Sequence, residues 1–358
     1  MDFLKNIQLV GKMIFGAGSF DRLDGILTEK RSDSCMVFLV DDFFQGRDLA
    51  DRIPVRNQDR VLFVNVDVEP KTTVVDDLRD RILQLNGRAP DGVIGIGGGS
   101  VMDYAKAVAV MLTNPGPSSK YQGLNLAKNA SVYHVGIPTL SGTGAEVSTT
   151  AVLTGPEKKL GIKGEFTPFH QIVLDPQLID DVPRNQWFYT GMDSYIHNIE
   201  SLTGHYANTL GNAMARQSLH LCREVFSNGD PTDLASNEKL MVASLLGGLS
   251  LGFSEVGACH AFSYGLSFVL GTRHGIANCI AFNQLGDYYP EGVAEFKQLV
   301  ARLGIDIPAG VTKGLSEAQM DKMIDTTLAL EHMWRHALGE GWKDRITRDK
   351  VREIYQRM

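Results

Sequence analysis

Apolar runs and their spacing divide the chain into two kinds of territory. Cys35-Met-Val-Phe-Leu-Val40 is a near-continuous apolar run, the pattern of a strand covered on both faces in a parallel sheet. Val61-Leu-Phe-Val-Asn-Val66 and Gly92-Val-Ile-Gly-Ile96 repeat it, and Val132-Tyr-His-Val-Gly-Ile137 and Gln171-Ile-Val-Leu174 continue the series. Residues 7–15 read as a strand pair or one bent strand ahead of Gly16-Ala-Gly18, with a short helix after it. Helical patterns lie between several of these runs, as from Val74 to Leu85. Such alternation predicts a Rossmann-like α/β layer. From about Pro183 the strand signal disappears, and amphipathic or apolar helical segments follow almost to Met358. The expected organisation is an α/β domain over residues 1–182 and an all-α domain over 183–358, with no internal repeat, low-complexity tract or long linker.

Length and composition are compatible with this plan and narrow the function. A chain of 358 residues can hold two domains with substantial cores. Its 43% hydrophobic and 22% charged residues are ordinary for a globular protein. A net charge of −7 argues against a nucleic-acid or anionic-membrane surface. Cys35, Cys222, Cys259 and Cys279 form no C-x-x-C pair and read as reduced thiols of a cytosolic protein. Met1-Asp-Phe-Leu-Lys-Asn6 lacks a basic start followed by an apolar core, and no apolar run reaches about 18 residues. A cytoplasmic protein without signal peptide or membrane span is expected.

Two stretches carry anion-binding chemistry. Gly97-Gly98-Gly99-Ser100 follows the third strand and opens a helix whose apolar positions Val101, Ala105, Val108, Ala109 and Leu112 hold one face. Ser100 and Asp103 are spaced as a capping box that would fix the helix start. Glycines there let a pyrophosphate approach backbone N–H groups at the positive end of a helix. A tight strand–helix turn without ligand has the same appearance, and Ser100 stands where the G-x-G-x-x-G fingerprint has its last glycine. Pro138-Thr-Leu-Ser-Gly-Thr-Gly-Ala-Glu146 has the same character, with Thr143 and Glu146 spaced as a second capping box. Two glycine-rich helix starts in one sheet favour a dinucleotide. Asp41, at the end of the first clear strand, is either a turn residue or an acceptor for ribose hydroxyls; in the latter role it favours NAD over NADP.

Metal-binding chemistry sits in the helical half. If residues 187–202 are helical, Asp193 and His197 project from one face, one turn apart. Such a pair also occurs on ordinary solvated helix faces. His260, on a helix, and His274, where a loop runs into a helix, complete a set of one carboxylate and three imidazoles. That set suits divalent iron or zinc.

Taken together, Gly-Gly-Gly-Ser-x-x-Asp-x-x-Lys (97–106), Ile-Pro-Thr-x-x-Gly-Thr-Gly-x-Glu (137–146), Asp193-x-x-x-His197, and His260 with His274-Gly-x-Ala-Asn278 resemble the iron-containing (group III) alcohol dehydrogenase family. The resemblance covers nearly the whole chain, with four motifs in order. It implies the dehydroquinate synthase-like fold: a nucleotide-binding α/β domain, a helical domain, and the metal in the cleft between them. It also implies Fe(II), with zinc as the alternative, on Asp193, His197, His260 and His274. NAD(P) would contact Asp41, Gly98, Gly99, Ser100, Asp103, Thr139 and Ser141. The implied chemistry is oxidation of an alcohol at carbon, with the metal holding the reacting oxygen.

Two departures bear on substrate. Where many members carry a proton-relaying His one turn after the first cleft histidine, this chain has Tyr264; where many have Pro before the last ligand, it has Arg273. A tyrosine of ordinary pKa near 10 is a poor base at neutral pH. Arg273 is either a surface residue or a bidentate clamp for a substrate carboxylate. The section from Cys259 to Cys279 looks closest to the 3-deoxy-D-manno-octulosonate 8-oxidase branch, which oxidises the terminal hydroxyl of an acidic eight-carbon sugar for surface-polysaccharide synthesis. The expected partners are a small acidic sugar or alcohol and a second copy of the chain, as a homodimer. Alternatives are a simpler NAD-dependent alcohol or polyol dehydrogenase, a dehydroquinate-synthase-like lyase, or a non-catalytic sugar- or nucleotide-binding protein. The lyase would want a basic pocket that does not accompany these motifs, and a binding module has no need of four ligands.

Overall fold

The computed structural model describes residues 7–32, 34–180 and 182–358. Met1–Asn6, on which the expected absence of a signal peptide rests, lies outside them. By internal packing the chain divides into one unit of Asn6–Ser141 with Ala145–Asp181, and another of Val182–Met358 with Gly142–Gly144.

The first unit runs β1 (Lys12–Phe15), α1 (Leu23–Thr28), β2 (Met36–Asp41), α2 (Asp48–Asp51), β3 (Arg60–Val64), α3 (Thr72–Asn86), β4 (Gly92–Gly97), α4 (Gly99–Met111), β5 (Gly123–Leu124), β6 (His134–Pro138), β7 (Thr150–Thr154), β8 (Lys159–Lys163) and β9 (Gln171–Leu174). Six strands form one sheet in the order β1-β9-β6-β4-β2-β3, parallel throughout. Met36, Phe38 and Val40 of β2, Ile94 and Ile96 of β4, and Val135 and Ile137 of β6 are spaced by two. They therefore share one face, where they join Phe20, Leu23 and Leu27 in a fully buried core. On β4, a Cβ at Gly95 would lie 2.7 Å from that of Ala105, so the absence of a side chain lets α4 lie directly on the strand. This layer is the predicted Rossmann-like one, read correctly because strands buried on both faces lose their polar positions. The expected strand over residues 7–15 shrinks to Lys12–Phe15, an edge strand paired with β9 alone.

A second, three-stranded sheet (β5-β8-β7) was not anticipated. Its sequence signal is the β-branched and apolar run Thr150-Ala-Val-Leu-Thr154, whose positions alternate partly buried and buried in the fold.

The second unit is helical: α5 (Arg184–Thr203), α6 (Thr209–Asn228), α7 (Leu234–Phe253), α8 (Ala258–Leu270), α9 (His274–Asn283), α10 (Pro290–Leu303), α11 (Glu317–Leu328), α12 (Glu331–Leu338) and α13 (Arg348–Gln356). Every residue of α5 from Trp187 to Ser201 is buried. Apolar neighbours alone cannot satisfy such a helix, because Asp193, His197, Asn198 and Glu200 lie inside it. Among the described residues no single helix is long and apolar enough to cross a membrane.

Candidate metal and dinucleotide sites

Three helices of the second unit converge on one buried point. Asp193 and His197 stand one turn apart on α5, His260 lies in the first turn of α8, and His274 is the first residue of α9. Asp193 Oδ1 lies 3.2 Å from His197 Nε2 and 3.3 Å from His260 Nε2, and its Oδ2 lies 3.3 Å from His274 Nε2. One ligand atom from each of the four residues falls within 4.8 Å of all the others. His197 and His260 bring their Nε2 atoms to 3.1 Å. Two imidazole lone pairs repel at that distance unless a proton or cation is shared between them. Asp193 Oδ2 is buried and accepts no hydrogen bond. The Asn278 amide donates to Asp193 Oδ1 at 2.7 Å and lies 3.2 Å from the Nε2 atoms of both His260 and His274.

Charge supports the same reading. Burial works to raise the Asp193 pKa, but His197 and His274 hold it well below the usual carboxylate range. Burial pushes His197 down to about 4. For His260 burial also acts downward, yet Glu200 and Asp193 outweigh it and raise the group to about 9. Asp193 and Glu200 place two buried carboxylates against these rings, and a divalent cation bound there would offset their negative charge. A set of one oxygen and three nitrogens fits iron or zinc.

Glu200 escaped the sequence reading. It is 1% exposed, accepts the Cys259 N–H at 2.7 Å and the Tyr289 hydroxyl at 3.1 Å, and lies 2.5 Å from His260 Nδ1. Its signal in the sequence is an acid three residues after His197, on the same helical face and flanked by Ile199. Tyr264 lies one turn after His260, buried, with its ring edge-on to that of His274 at 6.0 Å. Arg273 is exposed and is the N-cap residue of α9, immediately before His274.

In the first unit the strand order reverses at β2 and β4: the chain leaves β2 for β3 on one side and β4 for β6 on the other. In open parallel sheets, ligands bind beyond the strand ends at such a point. Asp41 ends β2 there and also accepts the Phe43 N–H at 3.0 Å; a Cβ at the neighbouring Gly97 would lie 3.1 Å from the Asp41 Cβ. The expected Ser100–Asp103 capping box is absent. Helix α4 starts at Gly99 with Gly98 as N-cap and no side-chain cap, so Ser100 lies within the first turn and Asp103 pairs with Lys106 at 3.1 Å. A side chain at Gly98 would meet Leu140, 2.8 Å from its Cβ. The uncapped turn leaves the first amides of α4 without an intrahelical or capping partner, the arrangement that suits a phosphate.

The second glycine-rich loop opens no helix; turns lead from it into β7. Gly142 (φ +154) and Gly144 (φ +62) take the chain out of helical geometry, and β-branched Thr149 and Thr150 follow. Thr139 donates its N–H to Gly97 O at 3.0 Å, which joins the two loops, and Ser141 Oγ is buried without a hydrogen-bond partner. Lys106, fully buried, donates to Ala145 O at 2.9 Å and Ser148 Oγ at 3.0 Å, and also to Thr150 O. It thereby holds the segment that follows the loop.

Two family models match in tandem: iron-containing alcohol dehydrogenase over residues 11–176 and the Fe-containing alcohol dehydrogenase family C-terminal region over residues 187–336. The chain is similar to sulfoacetaldehyde reductase of Bilophila wadsworthia, 32% identical over a segment covering 60% of this chain and 56% of that protein. The match to choline dehydrogenase of Bacillus subtilis is 30% identical and covers 76% of this chain and 69% of that one. Among solved structures, a 1,3-propanediol oxidoreductase shares the fold with a TM-score of 0.85 at 20% identity, over 99% of both chains. A sulfoacetaldehyde reductase from Bifidobacterium kashiwanohense in complex with NAD+ does so with 0.79 at 21%, over 98% of both.

Proposed function

The chain belongs to the iron-containing alcohol dehydrogenase family, and from that premise we propose that it is a metal- and NAD(P)-dependent oxidoreductase that interconverts a primary alcohol and its aldehyde. The observation that carries this reading is the convergence of Asp193, His197, His260 and His274, with one ligand atom of each within 4.8 Å of all the others. These four residues would hold divalent iron. Bound iron supplies a Lewis acid that lowers the pKa of an alcohol hydroxyl, so little is asked of a side-chain base. Oxidation removes a hydride from the carbinol carbon and a proton from its oxygen; a nicotinamide held at the β2–β4 switch point would supply the hydride acceptor. Gly98, Gly99, Ser100 and Asp103 at the start of α4 would hold the pyrophosphate side of that cofactor. Thr139 and Ser141 line the second loop, and Asp41 accepts from the ribose.

The substrate we propose is an acidic polyol, the C8 hydroxyl of 3-deoxy-D-manno-octulosonate in lipopolysaccharide synthesis. What supports this is the pair that departs from the family pattern: Tyr264 against His274, and an exposed Arg273 directly before that ligand. Tyr264 would orient a neighbouring hydroxyl and Arg273 would pair with the carboxylate. The test is turnover of the acidic sugar, choline, propanol and 1,3-propanediol by iron-loaded protein, with NAD or NADP under anaerobic conditions and without nucleotide in air. Arg273→Met should reduce the specificity constant for the acidic sugar roughly ten- to a hundred-fold, the worth of one charge-assisted hydrogen bond, and leave neutral alcohols nearly unchanged. Equal losses on both would make Arg273 structural. Preference of the wild type for a simple alcohol would end the acidic-sugar reading, and turnover in air without nucleotide would make oxygen the acceptor.

A further inference from the structure

We infer that Glu200 is a positioning residue for the metal site: it fixes the ring and tautomer of His260, so that Nε2 arrives at the cluster with its lone pair free. The inference rests on the four-residue metal centre proposed above.

Glu200 reaches His260 from one turn below His197 on α5. Its Oε2 lies 2.5 Å from His260 Nδ1, while its Oε1 accepts the Cys259 N–H at 2.7 Å and the Tyr289 hydroxyl at 3.1 Å. Both oxygens are thus committed, and the carboxylate has no rotation left. A carboxylate accepts only, so Nδ1 must carry the proton of the His260 ring. With a cation in place of a second ring proton, the other nitrogen, Nε2, is unprotonated, and it is the atom that faces Asp193 and His197. A carboxylate behind a ligating imidazole also makes that imidazole a better donor. The same group holds the first turn of α8 through the Cys259 amide, so one side chain sets both the backbone that carries His260 and the ring at its end. Tyr289 supports the arrangement from the other side: its hydroxyl donates to Glu200 and accepts the Ala258 N–H at 3.0 Å.

Glu200→Gln separates positioning from packing. Glutamine is isosteric and can still accept from Cys259, but its NH2 then faces Nδ1 and drives the ring proton to Nε2, where it blocks ligation. Metal-stripped wild type, Glu200→Gln and Tyr289→Phe would be titrated with cobalt(II) and zinc(II) against a chromophoric chelator, with the cobalt visible spectrum recorded. Glu200→Gln should bind ten- to a hundred-fold more weakly, with an altered cobalt spectrum and an unchanged far-ultraviolet circular dichroism. Tyr289→Phe, which keeps the carboxylate–imidazole pair, should stay within about threefold of wild type. Equal affinity and spectrum for wild type and Glu200→Gln would overturn the inference, as would an equal loss in Tyr289→Phe, which would mark a simple helix-end effect. If Glu200→Gln does not fold, zinc-loaded wild type decides: a slowly exchanging, far-downfield Nδ1 proton on His260 is required, and its absence overturns the assignment. Failure of the wild type to take up either metal would instead overturn the metal centre itself.

Discussion

The two chemical centres of this chain are built from opposite materials. In the helical unit the proposed ligands are one carboxylate and three imidazoles carried on regular helices, all but His274 buried. In the sheet unit the proposed cofactor contacts are mostly backbone: strand ends, an uncapped helix start, and glycines whose missing side chains make room. A centre of the first kind should fail when one charged atom is removed. A centre of the second kind should fail when one carbon is added.

Removing the charge has the largest expected effect. Asp193→Ala deletes the sole anionic ligand and leaves three imidazoles with no acceptor among them. Metal content should fall to background and turnover by more than about a hundredfold, beyond the ten- to hundredfold typical of outer-shell changes, while helix content is retained. Full occupancy in a folded Asp193→Ala protein would break the contrast at once. Next comes addition: Gly98→Val places branches against Leu140 and into the approach to the first α4 amides. Calorimetry with NAD should show an affinity loss on the order of a hundredfold, equivalent to about 3 kcal/mol, with no loss of bound metal. Unaltered NAD affinity would show that the cofactor does not use this turn.

Protonation gives a third test, confined to the sheet unit. His134 is buried in β6, with Nδ1 2.9 Å from Val132 O and 3.0 Å from His170 Nδ1. Burial, with His170 second, pushes its pKa down to about 4 from an ordinary value of 6.5. The unfolded chain therefore binds a proton between pH 6.5 and 4 that the folded chain refuses, so stability is present above this window and is lost as pH falls through it. The loss attributable to His134 is about 3 kcal/mol at most. Urea midpoints at pH 7, 5.5 and 4.5 should fall more steeply for wild type than for His134→Gln; parallel slopes would remove His134 as the cause. The smallest effect is expected from Asp41→Asn, which keeps the shape and removes the charge. NAD affinity should drop about fivefold, near 1 kcal/mol, and discrimination against NADP should narrow by a similar factor; an unchanged preference would return Asp41 to a turn residue.

How much of this was legible in the sequence follows the same division. Asp193 and His197 could be read because helical periodicity fixes where side chains i and i+4 point, and the buried strands could be read because their apolar runs are uninterrupted. Backbone geometry was harder. Ser100 and Asp103 have the spacing of a capping box, but α4 starts two residues earlier because Gly98 serves as N-cap, and Asp103 is drawn to Lys106 instead. Thr143 and Glu146 misled for a related reason: Gly142 and Gly144 adopt positive φ, which a spacing rule does not register. Glu200 was overlooked because its value lies in a residue sixty positions away, His260, that only the folded chain brings to it.

The continuous burial of Trp187–Ser201 has a practical consequence for anyone who wishes to change what this protein accepts. A stretch with no outward face has no silent positions, so random libraries that include it will lose most members to misfolding before activity is ever assayed. Diversity is better spent on exposed Arg273 and on Thr272 beside it, which sit at the start of α9 and can vary without disturbing a packed helix. For a protein engineer, α5 is the chassis and the turn before His274 is the interchangeable part.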